Sequence, residues 1–151
     1  MSNKCILSQQ AFDHLHKHMM EFEEESKEFL DEVLQVPKIE KEKYMALFTN
    51  YLQKLESLVK NVQITENGNN HLPFVTIGSQ VELRNLDNNR LQTLRIISPK
   101  QHKPQERSVP GATYLSPMGQ ALFLKKKGDQ IEVEVPAGKM RFEIESIIYP
   151  L

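Results

Sequence analysis

The 151-residue chain has no tryptophan, one cysteine and a formal net charge of only −1, and each scarcity removes a class of function. A lone cysteine, Cys5, cannot close an internal disulfide, and its place near a terminus reads as a small, partly buried hydrophobe rather than a reactive thiol. Near-neutral charge gives no bulk attraction to nucleic acid or to anionic membranes, so any partner must be chosen by local patches. No apolar run approaches the roughly 18 residues of a membrane span. The opening MSNKCILSQQ also lacks the apolar segment of a secretory signal, so a cytoplasmic protein without a membrane partner is expected. Ser-His-Asp order, glycine-rich phosphate loops and Cys/His zinc spacing are all missing. A self-contained enzyme therefore finds no support, and no catalytic residue is assigned.

What is present divides into two halves. From Ser8 to about Leu34, Phe12, Leu15, Met19, Phe22, Phe29 and Val33 recur at steps of three and four, with Ser26 at the one weak position. A second stripe runs through Tyr44, Leu47, Tyr51, Leu55, Leu58 and Val62. Pro37, in LQVPKIEK between them, forbids one continuous helix. Residues 1–64 are thus expected to form an antiparallel helical hairpin, a coiled coil roughly 35–40 Å long at ~1.5 Å per residue. The polar stretch TENGNNHLP (65–73) reads as a linker.

Beyond it the period changes to two. SQVELRN (79–85), LQTLRII (91–97), the alternating Ile131, Val133 and Val135, and KMRFEIESIIY (139–149) read as strands, with turns at LDNN and Pro136-Ala137-Gly138-Lys139. Residues 74–151 are expected to fold as an antiparallel sheet interrupted by a long polar loop at 98–111 and carrying one short helix. That helix begins at Ser116-Pro117, a capping oxygen followed by a ring at the first helical position. The fold class is α+β.

Four groups of side chains invite a functional reading. His14, His16 and His18 in HLHKH suggest a metal, but a zinc site needs a third ligand and supporting hydrogen bonds that the neighbouring sequence does not supply, so an exposed helix face is the preferred reading and no metal is assigned. Asp31, Glu32, Glu40 and Glu42 lie near the hairpin tip; they are either a solvated face or carboxylates gathered to share a Mg²⁺ in a partner's active site. Lys125, Lys126 and Lys127 are either the wet end of a helix or a basic patch for an acidic partner surface. In LSPMGQALFLKKKGD (115–129) Asp129 is the one side chain of catalytic type.

The sequence SPMGQALFLKKKGDQIEVEVPAG, behind a helical hairpin and a polar linker, resembles the C-terminal pattern of the GreA/GreB family of transcript cleavage factors. VTIGSQVELRNLDNN (75–89) and NVQI (61–64) are similar to that family's domain start and to the end of its second coiled-coil helix. The resemblance implies an FKBP-like C-terminal domain that docks on bacterial RNA polymerase through the Ser-Pro region, here Leu115, Ser116, Pro117, Met118 and Gln120. It also implies a coiled coil inserted into the secondary channel, with nucleic acid met only through the transcription complex. Cleavage factors carry Asp-x-x-Glu-Asn at the hairpin tip, where DEVLQVPKIEKE (31–42) stands in this chain. The hairpin is also shorter than the family's by about five residues per arm, roughly 8 Å of reach. A polymerase-binding regulator with weak or no cleavage stimulation is the expected function, with no cofactor of its own. A cleavage factor using the tip acids and a Mg²⁺ shared with the polymerase, and a binding module of the nucleoside diphosphate kinase regulator type, are the alternatives. No aromatic-lined pocket argues for prolyl isomerisation.

Overall fold

The computed structural model describes residues 6–28, 38–98 and 109–150 and divides the chain into two units, Met1–Asn69 and Asn70–Pro150. In the first unit strand β1 (Ile6–Leu7) leads into helix α1 (Gln9–Glu28), and helix α2 (Lys38–Asn61) leads into strand β2 (Gln63–Ile64), which lies parallel to β1. Ser8 starts α1: its Oγ accepts from the Ala11 amide at 3.1 Å and its carbonyl accepts from Phe12. At the other end α2 stops at Asn61, whose side-chain amide donates to the Ser57 carbonyl at 2.8 Å. Helix therefore gives way sooner than NVQI suggests, because Gln63 and Ile64 pair with Ile6 and Leu7 instead.

The helices are antiparallel. Phe22 meets Phe48 edge-on at 5.3 Å between ring centroids, while His18, one turn earlier in α1, meets Tyr51, further along α2, at 5.8 Å. The seam buries Ala11, Leu15, Phe22 and Ser26 from α1 against Phe48, Tyr51, Leu55 and Leu58 from α2. Phe48 stands outside the stripe read from the sequence. It displaces Leu47 from the centre because its ring can stack edge-on against Phe22, which a leucine one residue further round the helix cannot.

The second unit is a five-stranded sheet. Strands β3 (Gln80–Asn85) and β4 (Leu91–Ile97) form an antiparallel hairpin, followed by β5 (Gly111–Thr113), helix α3 (Pro117–Leu122), β6 (Gln130–Val135) and β7 (Gly138–Ile148), in the spatial order β5-β4-β3-β7-β6. Period-two alternation holds: Val81, Leu83, Ile131, Val133, Phe142 and Ile144 turn inward, and Glu82, Arg84, Glu132 and Glu134 turn out. The expectation of a wholly antiparallel sheet is corrected at one edge, where β5 pairs with β4 in parallel. A tight turn can only reverse a strand, and a parallel neighbour needs a connection of a dozen residues or more, which the thirteen positions between Ile97 and Gly111 supply. A register shift between Glu82 and Leu83 leaves Glu145 as an extra residue in β7. Its carboxylate then reaches Arg84 Nε at 2.7 Å while Glu143 takes Nη2 at 2.8 Å. Its own hydrogen bond to Arg84, followed by one to Gln130, holds the Glu143 carboxyl below its ordinary pKa.

A candidate docking site around helix α3

Between β5 and α3 the chain makes a turn whose shape is set by one hydroxyl. Ser116 is extended (φ −73, ψ 158) and acts as the N-cap of α3. Its Oγ donates to the Thr113 carbonyl at 2.7 Å and accepts from the Gly119 amide at 3.1 Å, and its own amide donates to the same carbonyl at 3.0 Å. Gln120 closes the turn from the other side, its side-chain amide donating to the Leu115 carbonyl at 2.9 Å. Gly119 is buried with its α-carbon against Thr113, and a Cβ there would run into the Thr113 carbonyl oxygen. Leu122 and Phe123 anchor the helix in the core, Phe123 stacking on Tyr114 at 6.0 Å.

Of the five residues assigned to docking, Ser116 is therefore committed inward on both sides of its hydroxyl. Pro117 and Gln120 are exposed, and Leu115 and Met118 are half-buried beside them. The surface they form is small, mainly apolar and free of titratable groups, suited to contact rather than to proton transfer.

The far end of α3 is held by bonds that local sequence does not announce. Leu124 takes a left-handed backbone (φ 69); its amide donates to the Val75 carbonyl at 3.0 Å, and the Val75 amide donates to the Lys125 carbonyl at 2.8 Å. Asp129 is structural too: its Oδ2 accepts from the Lys126 amide at 2.8 Å and its amide donates to the Lys126 carbonyl at 3.0 Å. Val75 and Leu124 are the site-shaping residues that sequence reasoning missed, because their partnership spans nearly fifty positions and neither carries a polar side chain.

The remaining candidates fare differently. The expectation that HLHKH is an exposed face is corrected at His18, which is half-buried in the helix seam with Nε2 2.6 Å from the Tyr51 hydroxyl, and whose pKa burial lowers from 6.5 to about 4. His14 and His16 are exposed. Among the described residues no three metal-capable side chains gather in one place. Asp31 and Glu32 lie outside the described residues, as do Cys5 and the side chain of Glu40; Glu42 is exposed on α2. No helix among the described residues is long and apolar enough to cross a membrane.

Comparison with known proteins then gives a match of residues 70–149 to the family model described as transcription elongation factor, GreA/GreB, C-terminal. A curated relative from Dehalococcoides mccartyi, transcription elongation factor GreA, is 33% identical over 98 residues, covering 65% of this chain and 61% of that protein. Another from Desulfovibrio desulfuricans, with the same name, is 33% identical over 75 residues, covering 50% of this chain and 44% of that protein. In both, the match spans less than two thirds of the relative's own length. Among solved structures, Gfh1 of Thermus aquaticus aligns over 97% of this chain and 99% of its own at 20% identity and a TM-score of 0.47. The GreA/GreB factor of Nitrosomonas europaea aligns over 98% and 100% at 21% identity and 0.47.

Proposed function

This chain belongs to the GreA/GreB family of transcription elongation factors, and from that premise we propose that it binds bacterial RNA polymerase and modulates elongation with weak or no stimulation of transcript cleavage. The observation that carries the reading is that the family match, residues 70–149, takes in almost the whole of the sheet unit, Asn70–Pro150, including the capped turn at Ser116. The relatives named GreA support the transcriptional role. The α3 surface, apolar and uncharged, supports docking through contact at Leu115, Pro117, Met118 and Gln120, with Ser116 holding their shape.

Weak or absent cleavage is supported by the sequence of the tip. DEVLQVPKIEKE lacks Asp-x-x-Glu-Asn, and the arms are short for carrying a carboxylate to a metal that must be touched at about 2 Å. The proposal gives the chain no catalytic residue, and it assigns no Mg²⁺ to Glu42, the tip acid whose side chain is described.

Co-sedimentation with core RNA polymerase, followed by a cleavage assay on a backtracked complex with Mg²⁺, tests the reading. Because Ser116 serves the fold, the informative variant is Pro117→Ala with Gln120→Glu. Loss of binding in that variant, with binding but no cleavage by the wild type, is the expected result. Cleavage by the wild type that disappears in Glu40→Gln/Glu42→Gln would assign the tip acids a role instead, and absence of wild-type binding would sink the proposal.

A further inference from the structure

Docking through the α3 surface leaves three charged side chains beside it unexplained. Lys125, Lys126 and Lys127 are exposed in succession, and no carboxylate of a described residue forms an ion pair with them. Asp129, their neighbour in sequence, has one oxygen bound to the Lys126 amide. A helix end that merely wets its charges needs no fixed backbone. This one is fixed through Lys125 N to Leu122 O, Lys125 O to Val75 N, the two Lys126–Asp129 bonds, and Gly128 N to Ile144 O. Leu124 is held within that clasp in a left-handed backbone that L side chains rarely adopt. Three cations on long flexible stems thus stand on a rigid base. Helix α3, ~9 Å long, begins at Pro117 and ends at Leu122, only three positions before Lys125.

We infer that Lys125, Lys126 and Lys127 are the electrostatic rim of the α3 docking surface, and that they steer it onto a carboxylate-rich protein surface lying beside the apolar spot that receives Pro117. The inference rests on the proposed polymerase binding and names the chemistry of the partner surface. An apolar centre with a charged, solvated rim is the general anatomy of a protein interface. A phosphate backbone fits less well, because it offers nothing to the apolar half of the patch. Rim charges act mainly on the association rate and its salt dependence, and a desolvated apolar centre acts on the dissociation rate.

Those two signatures separate in a kinetic experiment with the full chain and core RNA polymerase across a range of ionic strengths. Three proteins are compared: wild type, Lys125→Gln/Lys126→Gln/Lys127→Gln, and Pro117→Ala/Gln120→Glu. The triple variant is expected to associate about tenfold more slowly at low salt, to lose most of its salt dependence, and to dissociate at a rate within about twofold of wild type. The Pro117/Gln120 variant is expected to show chiefly faster dissociation. Equal association rates and salt slopes for wild type and triple variant overturn the inference and leave the docking reading standing; no binding by the wild type at any salt removes both. Lysine-dependent binding of a short RNA or DNA, with polymerase association unchanged in the triple variant, assigns the lysines to phosphate and also overturns it. If the triple variant unfolds, Lys126→Gln and Lys127→Gln alone report the same salt slope in smaller steps.

Discussion

Two residues show how single side chains, or their absence, set local conditions. Gly119 is required by space rather than by backbone angle, because the Thr113 carbonyl occupies the place of its Cβ. Gly119→Ala is therefore expected to destabilise the sheet unit by about 2–3 kcal/mol, as overpacking against backbone does, and urea unfolding followed by tryptophan-free probes such as far-UV dichroism measures it. A change under about 0.5 kcal/mol would show that α3 shifts freely, contrary to the anchoring by Leu122 and Phe123. His18 makes the helix seam sensitive to acid. Its folded pKa of about 4 lies below the unfolded value of 6.5, so the unfolded chain takes up the proton first. Stability from this group is fully present above pH 6.5 and is lost as the pH falls toward about 4. Ring-proton NMR should find His18 still neutral at mildly acid pH, and His18→Phe should flatten the pH dependence of helix unfolding over that window. Protonation of His18 near its ordinary value would contradict the seam contact with Tyr51.

Elements differ in how much supports them. The hairpin depends on one seam, in which Phe22 contacts both Phe48 and Tyr51. Truncating such a ring costs about 3–5 kcal/mol, and two helices with a single seam have little to lose. Phe22→Ala is expected to abolish most of the helical dichroism of the first unit while leaving the dispersed amide signals of the sheet unit in an NMR spectrum. Collapse of both sets of signals together would show that the sheet depends on the hairpin. In the sheet unit, α3 is too short to persist by propensity. It is held by Ser116 at its start and by the Leu124–Val75 clasp after its end. Replacing the cap, Ser116→Ala, should cost about 1 kcal/mol in unfolding measurements, much less than Gly119→Ala, because the Ser116 amide still donates to Thr113.

At the scale of the whole molecule the two units have unequal means of standing alone. The sheet unit closes its own core from Leu72 to Ile147, whereas the helical unit has one apolar seam. A fragment of residues 70–151 is expected to unfold cooperatively near the temperature of the sheet unit in the full chain, and a fragment of residues 1–69 to be largely unfolded; thermal dichroism of each decides this, and a stable isolated hairpin would refute it. Whatever rests on neighbours in the chain could be read from the residues. Stripes at three and four marked two helices around Pro37, period two marked β3, β4, β6 and β7, and Ser-Pro marked the start of α3. The remaining features came from the folded packing. It set the parallel docking of β5, the inward turn of His18 to Tyr51, the choice of Phe48 over Leu47, and the Val75–Leu124 clasp beneath the three lysines. Periodicity and capping are energies of residues within a turn of one another, and so they are written along the chain. A strand's direction, a buried imidazole and a backbone clasp depend on which distant segment arrives beside them, and only the folded packing supplies that partner.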